Sequence, residues 1–179
     1  MLAAPPKRTL TGQLHARTSR TAWGHVGIVA RADCLVALFL PAPRQLIADS
    51  LARHWPSAAP SRDILQSITE QIVAYFDGDL RSFRVELDLS AVPSFRRAVL
   101  EACRKIPYGK TASYSDLAHA VGNSAAVRAV GSAMANNPIP LIIPCHRVLR
   151  ADGSLGGFSS PEGIHQKRRL LRHEGVELP

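Results

Sequence analysis

The chain has 179 residues, of which 46% are apolar and 20% charged, and its formal net charge is +8. This composition allows a buried core in one large domain or two small ones. No apolar run is long enough to span a bilayer, which excludes a membrane-spanning protein, and the positive charge favours a polyanionic partner, nucleic acid first. Residues 91–179 hold twelve basic and six acidic residues and so carry +6 of this charge. A solvated basic face without a partner is the alternative.

Cys34, Cys103 and Cys145 are odd in number and form no C-x-x-C pair, so neither a disulfide framework nor a metal site is expected. They fit a reducing compartment. With a nucleic-acid partner, this indicates the cytoplasm and its nucleoid, or the nucleus of a eukaryote. Residues 1–20 lack the apolar stretch of a secretory signal, and we expect a disordered tail there.

The elements predicted after this tail are those of a small sheet with helices. Two β-prone runs at 23–30 and 34–40, joined by a short polar connection, predict a hairpin. Helices are predicted at 45–54 and at 61–78, where isoleucines recur at helical spacing. Alternation of apolar and charged residues predicts a half-exposed strand at 83–89.

These patterns divide the chain into two domains. Residues 21–90 are predicted to form a small α/β domain, and residues 91–179 a mostly α-helical domain. The second domain begins with an amphipathic helix over 94–106, for which Ser94 is the candidate N-cap.

A helix-turn-helix is predicted next. Ser113 and Asp116 have the spacing of a capping box for a short first helix, and Gly122 ends it. Ser124 is expected to cap a second helix that runs to Ala135. This unit commonly places its second helix in a DNA groove.

The second helix of this motif carries mostly Ala, Gly and Ser. Such side chains cannot read base edges through bidentate hydrogen bonds, but they permit close approach of the backbone. Arg128 is the long, charged exception. It either reaches a phosphate or enters the duplex stack.

The candidate chemical centre is the motif Pro144-Cys145-His146-Arg147, which follows the apolar run 139–143. It brings together a nucleophile, a base and an anion anchor after what we expect to be a buried strand. Sequence neighbours in an extended chain point to opposite faces, so a proton path from Cys145 to His146 needs a sharp turn or a bridging water. An inert core cysteine is the alternative.

The end of the chain adds two features. The Gly-rich loop 152–160 either shapes a pocket or is a simple connection, and a basic amphipathic helix is predicted over 164–173. Glu174 follows that helix. A carboxylate there opposes the helix dipole, so a specific partner such as a histidine is expected.

The motifs between Ser94 and Gly175 have the order and spacing of a known family. They are Ile106-Pro107-Tyr108-Gly109-Lys110-Thr111, Ser113-Tyr114, Arg128-Ala129-Val130-Gly131, Asn137-Pro138, Pro144-Cys145-His146-Arg147-Val148 and Gly157-Phe158-Ser159. Together they resemble the O6-alkylguanine-DNA alkyltransferases, which repair DNA by direct reversal. The first half of the chain resembles the family's small N-terminal domain only in outline.

The resemblance implies that Cys145 attacks the alkyl carbon of a flipped O6-alkylguanine and keeps the group as a thioether, so each molecule acts once and needs no cofactor. It further implies that His146 takes the thiol proton through a water and that Glu174 orients His146. By the same resemblance, Asn137 holds the turn before the active-site strand, and Tyr114 donates a hydrogen bond to the departing oxygen. Arg128 would fill the hole left by the extruded base, with its helix in the minor groove.

The same resemblance implies the contacts with DNA and with the lesion. The DNA-binding residues would be Arg128, Ser113, Ala129, Gly131 and Ser132. The substrate pocket would be formed by Tyr114, Met134, Val148, Leu155, Gly156, Phe158 and Ser159. The implied partner is double-stranded DNA carrying O6-alkylguanine, with O4-alkylthymine as a second candidate lesion, and the protein is expected to act as a monomer without a membrane partner.

The chain departs from the family at several points. Phe158 stands where the family often has Tyr, and residues 159–163 replace a Gly-rich run, which affects the size of alkyl group accepted. Some relatives hold a structural zinc in the N-terminal domain, but only Cys34 and scattered histidines are available here, so no metal is expected. The absence of an extra Cys-rich module argues against a transcriptional role.

Three other functions fit parts of the sequence. A non-catalytic alkyltransferase-like protein would sense lesions without transfer, but proteins of that kind lack the cysteine. A helix-turn-helix regulator would need side chains that read bases, which the Ala-rich helix does not offer. A cysteine hydrolase would need a Cys and a His in direct contact, and adjacent residues do not readily provide it.

Overall fold

The computed structural model describes residues 12–61 and 66–178. The chain forms two compact units, one ending at Ala91 and the other beginning at Val92. The predicted fold class, a small α/β unit followed by a mostly helical unit with a helix-turn-helix, is confirmed. No helix in the described residues is both long and apolar enough to cross a bilayer.

Within residues 12–61 and 66–91, the first unit contains a five-stranded sheet and two helices. They are β1 (Leu14–Thr21), β2 (Gly24–Arg31), β3 (Cys34–Ala42), α1 (Arg44–His54), β4 (Ala59–Pro60), α2 (Gln66–Asp77) and β5 (Glu86–Leu87). In the order β4-β1-β2-β3-β5, the three long strands are antiparallel and the two short edge strands pair in parallel. Gly27 on β2 lets α1 approach closely, because a Cβ there would lie 2.9 Å from the Ile47 side chain.

Strand β1 corrects the expectation of a disordered tail over residues 1–20. Residues 1–11 lie outside the described part of the chain, but Leu14–Thr21 pairs with β2 along its whole length. Only the two end residues of this strand are buried, and most of the residues between them are polar. Its composition therefore resembles that of a polar tail. Backbone hydrogen bonds to β2, which composition does not reveal, order the strand.

The other elements of this unit follow the sequence pattern more closely. The predicted hairpin is formed by β2 and β3, and the helix predicted at 45–54 is α1. The helix predicted over 61–78 is described from Gln66 to Asp77, and residues 62–65 lie outside the described part. The strand predicted at 83–89 is only Glu86–Leu87, because just these two residues pair with β3.

The second unit is mostly helical. Its elements are α3 (Ser94–Arg104), β6 (Ala112–Ser113), α4 (Tyr114–Ala120), α5 (Val127–Ala135), a 3-10 turn (Cys145–Arg147), β7 (Val148–Leu149) and α6 (Ile164–His173). Helices α4 and α5 form the helix-turn-helix and pack on α3, and β6 pairs in parallel with β7. Val99, Leu100, Val130 and Leu170 are fully buried in its core.

Of the three predicted helix caps, one is confirmed and two are wrong. The capping box is confirmed, since Ser113 Oγ accepts from the Asp116 N–H at 3.0 Å and Asp116 Oδ2 accepts from the Ser113 N–H at 2.7 Å. Ser94 is the first residue of α3 and not its cap. Ser124 does not cap α5, which begins three residues later, and its hydroxyl instead lies 3.3 Å from His119 Nδ1.

The apolar run 139–143 is not the expected strand. Leu141 has a positive φ of 76°, and the Ile143 N–H donates to the Ile139 carbonyl at 2.9 Å, so the run folds into a tight turn. The turn buries its apolar side chains and leads directly into the 3-10 turn of Cys145. The apolar character of the run was a correct sign of burial but not of strand structure.

Candidate active site

Cys145 begins a 3-10 turn and lies beside a cavity of about 430 Å³. Its N–H donates to the Ile143 carbonyl at 2.8 Å, and the residue is only 6% exposed. Burial raises the pKa of the Cys145 thiol, while a hydrogen bond from the Asn137 side chain and the charge of Lys167 oppose that rise. The thiol therefore needs a base to become a thiolate at neutral pH.

Asn137 holds the turn that carries Cys145. Its side-chain amide donates to the Ile143 carbonyl at 2.8 Å, and its oxygen accepts from the Ile139 N–H at 3.0 Å. Both contacts are buried, so each hydrogen bond also satisfies a backbone group that water cannot reach. The sequence indicated this residue through the resemblance alone.

Glu174 lies at the end of α6 and contacts both residues that follow Cys145. Its Oε1 lies 2.7 Å from His146 Nε2, and Arg147 donates to Oε2 through Nε at 2.8 Å and to Oε1 through Nη2 at 2.9 Å. Burial by itself would raise the pKa of Glu174, but the hydrogen bonds from His146 and Arg147 outweigh it and hold the pKa well below its ordinary value. The carboxylate is therefore ionised.

Arg147 differs from its expected role as an anion anchor for a ligand. It is buried, pairs with Glu174 on two sides, and donates from Nη1 to the Ile106 carbonyl at 2.5 Å. A buried guanidinium needs such a full set of acceptors. It neutralises Glu174 and leaves His146 uncharged.

His146 is completely buried, and burial lowers its pKa although Glu174 acts in the opposite direction. Because Arg147 already neutralises the carboxylate, the cost of burying a second positive charge is the larger effect. The neutral imidazole donates from Nε2 to Glu174, which leaves Nδ1 with a free lone pair. Nδ1 is buried and has no hydrogen-bond partner among the described residues.

The segment 106–109 supports Glu174 from the other side. The Tyr108 hydroxyl donates to the His173 carbonyl at 2.9 Å, and the Gly109 N–H donates to Glu174 Oε2 at 3.3 Å. Gly109 has φ +70°, and a Cβ there would lie 3.0 Å from the Glu174 carbonyl oxygen. These contacts give a physical reason for the Tyr-Gly pair in this motif.

Lys167 is a buried cation whose environment the sequence did not suggest. Its ammonium donates to the Val148 carbonyl at 2.6 Å and to the Leu155 carbonyl, and lies 5.9 Å from the centre of the Tyr114 ring. Burial lowers the pKa of Lys167 to about 8. Helical spacing with Leu170, Leu171 and Glu174 is the signal that places Lys167 on the buried face.

The cavity wall includes most of the predicted pocket. Val148 and Leu155 do not line it, because both are core residues whose carbonyls hold Lys167. The predicted residues in the wall are Tyr114, Met134, Gly156, Phe158 and Ser159. The wall also contains Cys145, Arg128 and Gly131, which were expected in other roles, and Gly157, which belongs to one of the family motifs. Val127, Ala135 and Arg150 complete it, and the sequence did not single them out.

Two contacts shape this wall. Gly156 has φ +61°, and a Cβ there would lie 3.0 Å from the Tyr114 hydroxyl oxygen, so only glycine permits this approach. The Ser159 hydroxyl donates to the Ala135 carbonyl at 2.9 Å and ties the loop to the end of α5. Tyr114 is partly buried, and this raises the pKa of its phenol, so the hydroxyl remains a proton donor at neutral pH.

The residues expected to bind DNA lie on or beside α5. Arg128, Ala129 and Ser132 are exposed, and Gly131 is half-buried with open space where a Cβ would point. Ser113 is half-buried, and its hydroxyl caps α4. The described residues contain no group of three or more His, Cys, Asp or Glu side chains placed to hold a metal ion.

Comparisons with known proteins agree with this site. Residues 94–176 match the family described as 6-O-methylguanine DNA methyltransferase, DNA binding domain. A methylated-DNA–protein-cysteine methyltransferase from Mycobacterium tuberculosis is 43% identical over 126 residues, which are 70% of this chain and 73% of that protein. The Escherichia coli bifunctional transcriptional activator and DNA repair enzyme Ada is 37% identical over 142 residues, which cover 78% of this chain and 39% of Ada.

Solved structures show the same likeness. The crystal structure of Mycobacterium tuberculosis OGT in complex with DNA has a TM-score of 0.77 and 36% identity, and the match covers 89% of this chain and 92% of that one. The similarity thus extends over both units of the chain. The chain belongs to the methylated-DNA–protein-cysteine methyltransferase family.

Proposed function

We propose that this protein repairs DNA by direct reversal, moving an alkyl group from O6 of guanine in double-stranded DNA to Cys145 Sγ, once per molecule. The observation that carries the proposal is the placement of the Cys145 thiol beside a cavity, next in the chain to a buried neutral histidine paired with an ionised carboxylate. Family membership supports DNA as the partner.

The reaction needs a thiolate, and His146 is the group suited to form it. Its unpartnered Nδ1 accepts the thiol proton, directly or through one water, and the ionised Glu174 stabilises the imidazolium that results. The thiolate then attacks the alkyl carbon in line, a C–S bond forms, and the C–O bond to guanine breaks. The Tyr114 hydroxyl donates a hydrogen bond to the departing guanine and stabilises the negative charge that develops on it. The restored guanine takes up one proton, which balances the proton that the thiol gave to His146.

Access to a base in a duplex requires its extrusion. The small exposed side chains of α5 suit a minor groove, and Arg128 is exposed at the cavity wall, where it can occupy the space that the base leaves. The residues of this site all belong to the second unit, so one copy of the chain suffices and we propose a monomer. O4-alkylthymine, which also carries its alkyl group on an exocyclic oxygen, is a second candidate lesion. The protein would act where the DNA is, in the cytoplasm with its nucleoid or in a nucleus.

Intact-mass measurement after incubation with an oligonucleotide containing O6-methylguanine tests the proposal. The protein is expected to gain the mass of one methyl group on Cys145, with one equivalent of guanine restored per molecule. Cys103→Ser is the matched control, because Cys103 is also buried in the second unit, whereas Cys145→Ser should abolish the gain. Multiple turnovers, or alkylation of Cys34 or Cys103, would contradict the proposal.

A further inference from the structure

Arg150 is a cation in the cavity wall that the proposed chemistry does not use. It is exposed and directly follows β7. Its backbone closes a tight turn, since its N–H donates to the Ser154 carbonyl at 2.9 Å and its carbonyl accepts from the Gly153 N–H at 3.0 Å. The backbone is thus fixed at the wall, and the long side chain extends from a defined position.

Arg150 forms no salt bridge within the described residues, although the Asp152 carboxylate lies close enough to interact with its charge at longer range. Within the described part of the chain, its guanidinium makes no hydrogen bond or ion pair. The neighbouring Asp152 carboxylate accepts instead from the Ser154 N–H at 2.9 Å. Apart from Arg128 and the Cys145 thiol, the remaining wall is apolar, aromatic, glycine or hydroxyl in character, and O6-methylguanine itself is neutral. The base therefore supplies no counter-charge for the guanidinium.

We infer that Arg150 binds an anionic group of the substrate at the mouth of this cavity, an inference that rests on the proposed function. A flipped nucleotide that inserts its base leaves its sugar and phosphates at the entrance, so a phosphate of the target nucleotide is one source of the anion. A carboxylate on the transferred alkyl group is the other source. Both match the planar fork of donors that a guanidinium presents.

Single-turnover alkylation of Cys145 at limiting DNA concentration tests the inference with Arg150→Gln and Arg150→Lys. On the duplex DNA substrate that presents the bound anion, Arg150→Gln should be slower by about 10-fold or more, the usual effect of losing a charge-assisted hydrogen bond, and Arg150→Lys should recover part of the rate. The loss should be much smaller on free O6-methylguanine base. Arg168→Gln is the matched control, because Arg168 is exposed on α6 outside the cavity wall and carries the same charge.

Two substrates separate the sources of the anion. If a target phosphate is bound, a neutral methylphosphonate at that position should slow the wild-type protein as much as Arg150→Gln does, without slowing the variant further. If a lesion carboxylate is bound, Arg150→Gln should be slow only on O6-carboxymethylguanine, and the methylphosphonate should change nothing. Either result supports the anion site.

Other results would overturn the inference. If the wild-type protein is alkylated but Arg150→Gln behaves like Arg168→Gln on every DNA substrate, Arg150 contacts no anion of the substrate. An equal loss on DNA and on free base would show that Arg150 acts on the pocket or the fold. Wild-type protein that gains no mass on any substrate would instead refute the proposed function and with it this inference.

Discussion

Glu174 Oε1 lies 2.7 Å from His146 Nε2, and both side chains are completely buried although 28 residues separate them. The carboxylate sits at the C-terminal end of α6, where the helix dipole disfavours negative charge. Arg147 compensates for this position by donating two hydrogen bonds to the same carboxylate. His146 is therefore oriented by a carboxylate whose charge Arg147 already balances.

The first prediction concerns activation of the thiol. His146→Ala removes the base and Glu174→Gln removes the charge that stabilises its protonated form, so both should slow single-turnover alkylation of Cys145 by about 10²-fold or more. Affinity for DNA should change little, because neither side chain reaches the surface. Unchanged rates in both variants would show that the thiolate arises by another route.

Folding must be measured alongside these rates. Glu174→Gln leaves the Arg147 charge buried without its counter-ion, which is expected to cost about 3–5 kcal/mol in the free energy of unfolding. His146→Ala keeps the Glu174–Arg147 pair and serves as the comparison. Rates are therefore compared below the thermal transitions of both variants.

The second prediction concerns pH. Burial lowers the pKa of His146 below its ordinary value of 6.5, so the folded protein resists a proton that the unfolded chain accepts. Its contribution to stability is then complete above pH 6.5 and is lost as the pH falls from there through the lowered pKa. The rate at which free O6-methylguanine alkylates Cys145 should also persist below pH 6.5, because the His146 imidazole remains neutral and can still accept the thiol proton.

A comparison of unfolding free energies between wild type and His146→Gln across this pH range isolates the histidine. The difference between the two proteins should be constant above pH 6.5 and should change below it. A rate that declines with a midpoint above 6.5 would contradict the lowered pKa and the assignment of His146 as a neutral base.

The third prediction concerns Arg128. If it occupies the space left by the extruded base, it offsets an unstacking cost of a few kcal/mol that is smallest for a poorly paired base. Arg128→Ala should then slow repair in a well-paired duplex far more than in single strands or opposite a mismatch, with little effect on free base. An arginine that only contacts phosphate would instead lower affinity uniformly and reduce the salt slope by about one unit.

The fourth prediction is that a substitution at Gly131 stabilises the fold but slows repair of duplex DNA. This residue is inside α5, and nothing lies within 4 Å of the position where a Cβ would be. Gly131→Ala should therefore raise the free energy of unfolding by about 0.5–1 kcal/mol, since glycine weakens a helix. The added methyl group faces the proposed DNA surface, so repair of duplex DNA should slow more than reaction with free base.

The wild-type protein is the reference for this substitution, because the exposed neighbours Ala129 and Ser132 are themselves expected to bind DNA. Equal repair rates for Gly131→Ala and the wild-type protein on duplex DNA would show that close approach of α5 is not required. Thermal unfolding and single-turnover repair of the two proteins provide the measurements.

Features that depend on near neighbours in the chain were predictable from the sequence. The basic amphipathic pattern over 164–173 predicted α6 with the bounds that the structure has, and Ser113 with Asp116 predicted the capping box. Such signals arise within one helical turn, where periodicity and backbone hydrogen bonds decide the outcome. The motif around Cys145 likewise predicts a chemical centre from neighbouring residues, and the structure places Cys145 at a cavity wall.

The partners of the buried charged side chains depend on folding and were not predicted. Arg147 was expected to meet an outside anion, but the end of α6 brings Glu174 to it. Lys167 is buried because the Val148 and Leu155 carbonyls accept hydrogen bonds from its ammonium group. The partners of Arg147 and Lys167 lie 12 to 41 residues away along the chain. Burial of a cation depends on acceptors brought together by folding, and no local pattern records them.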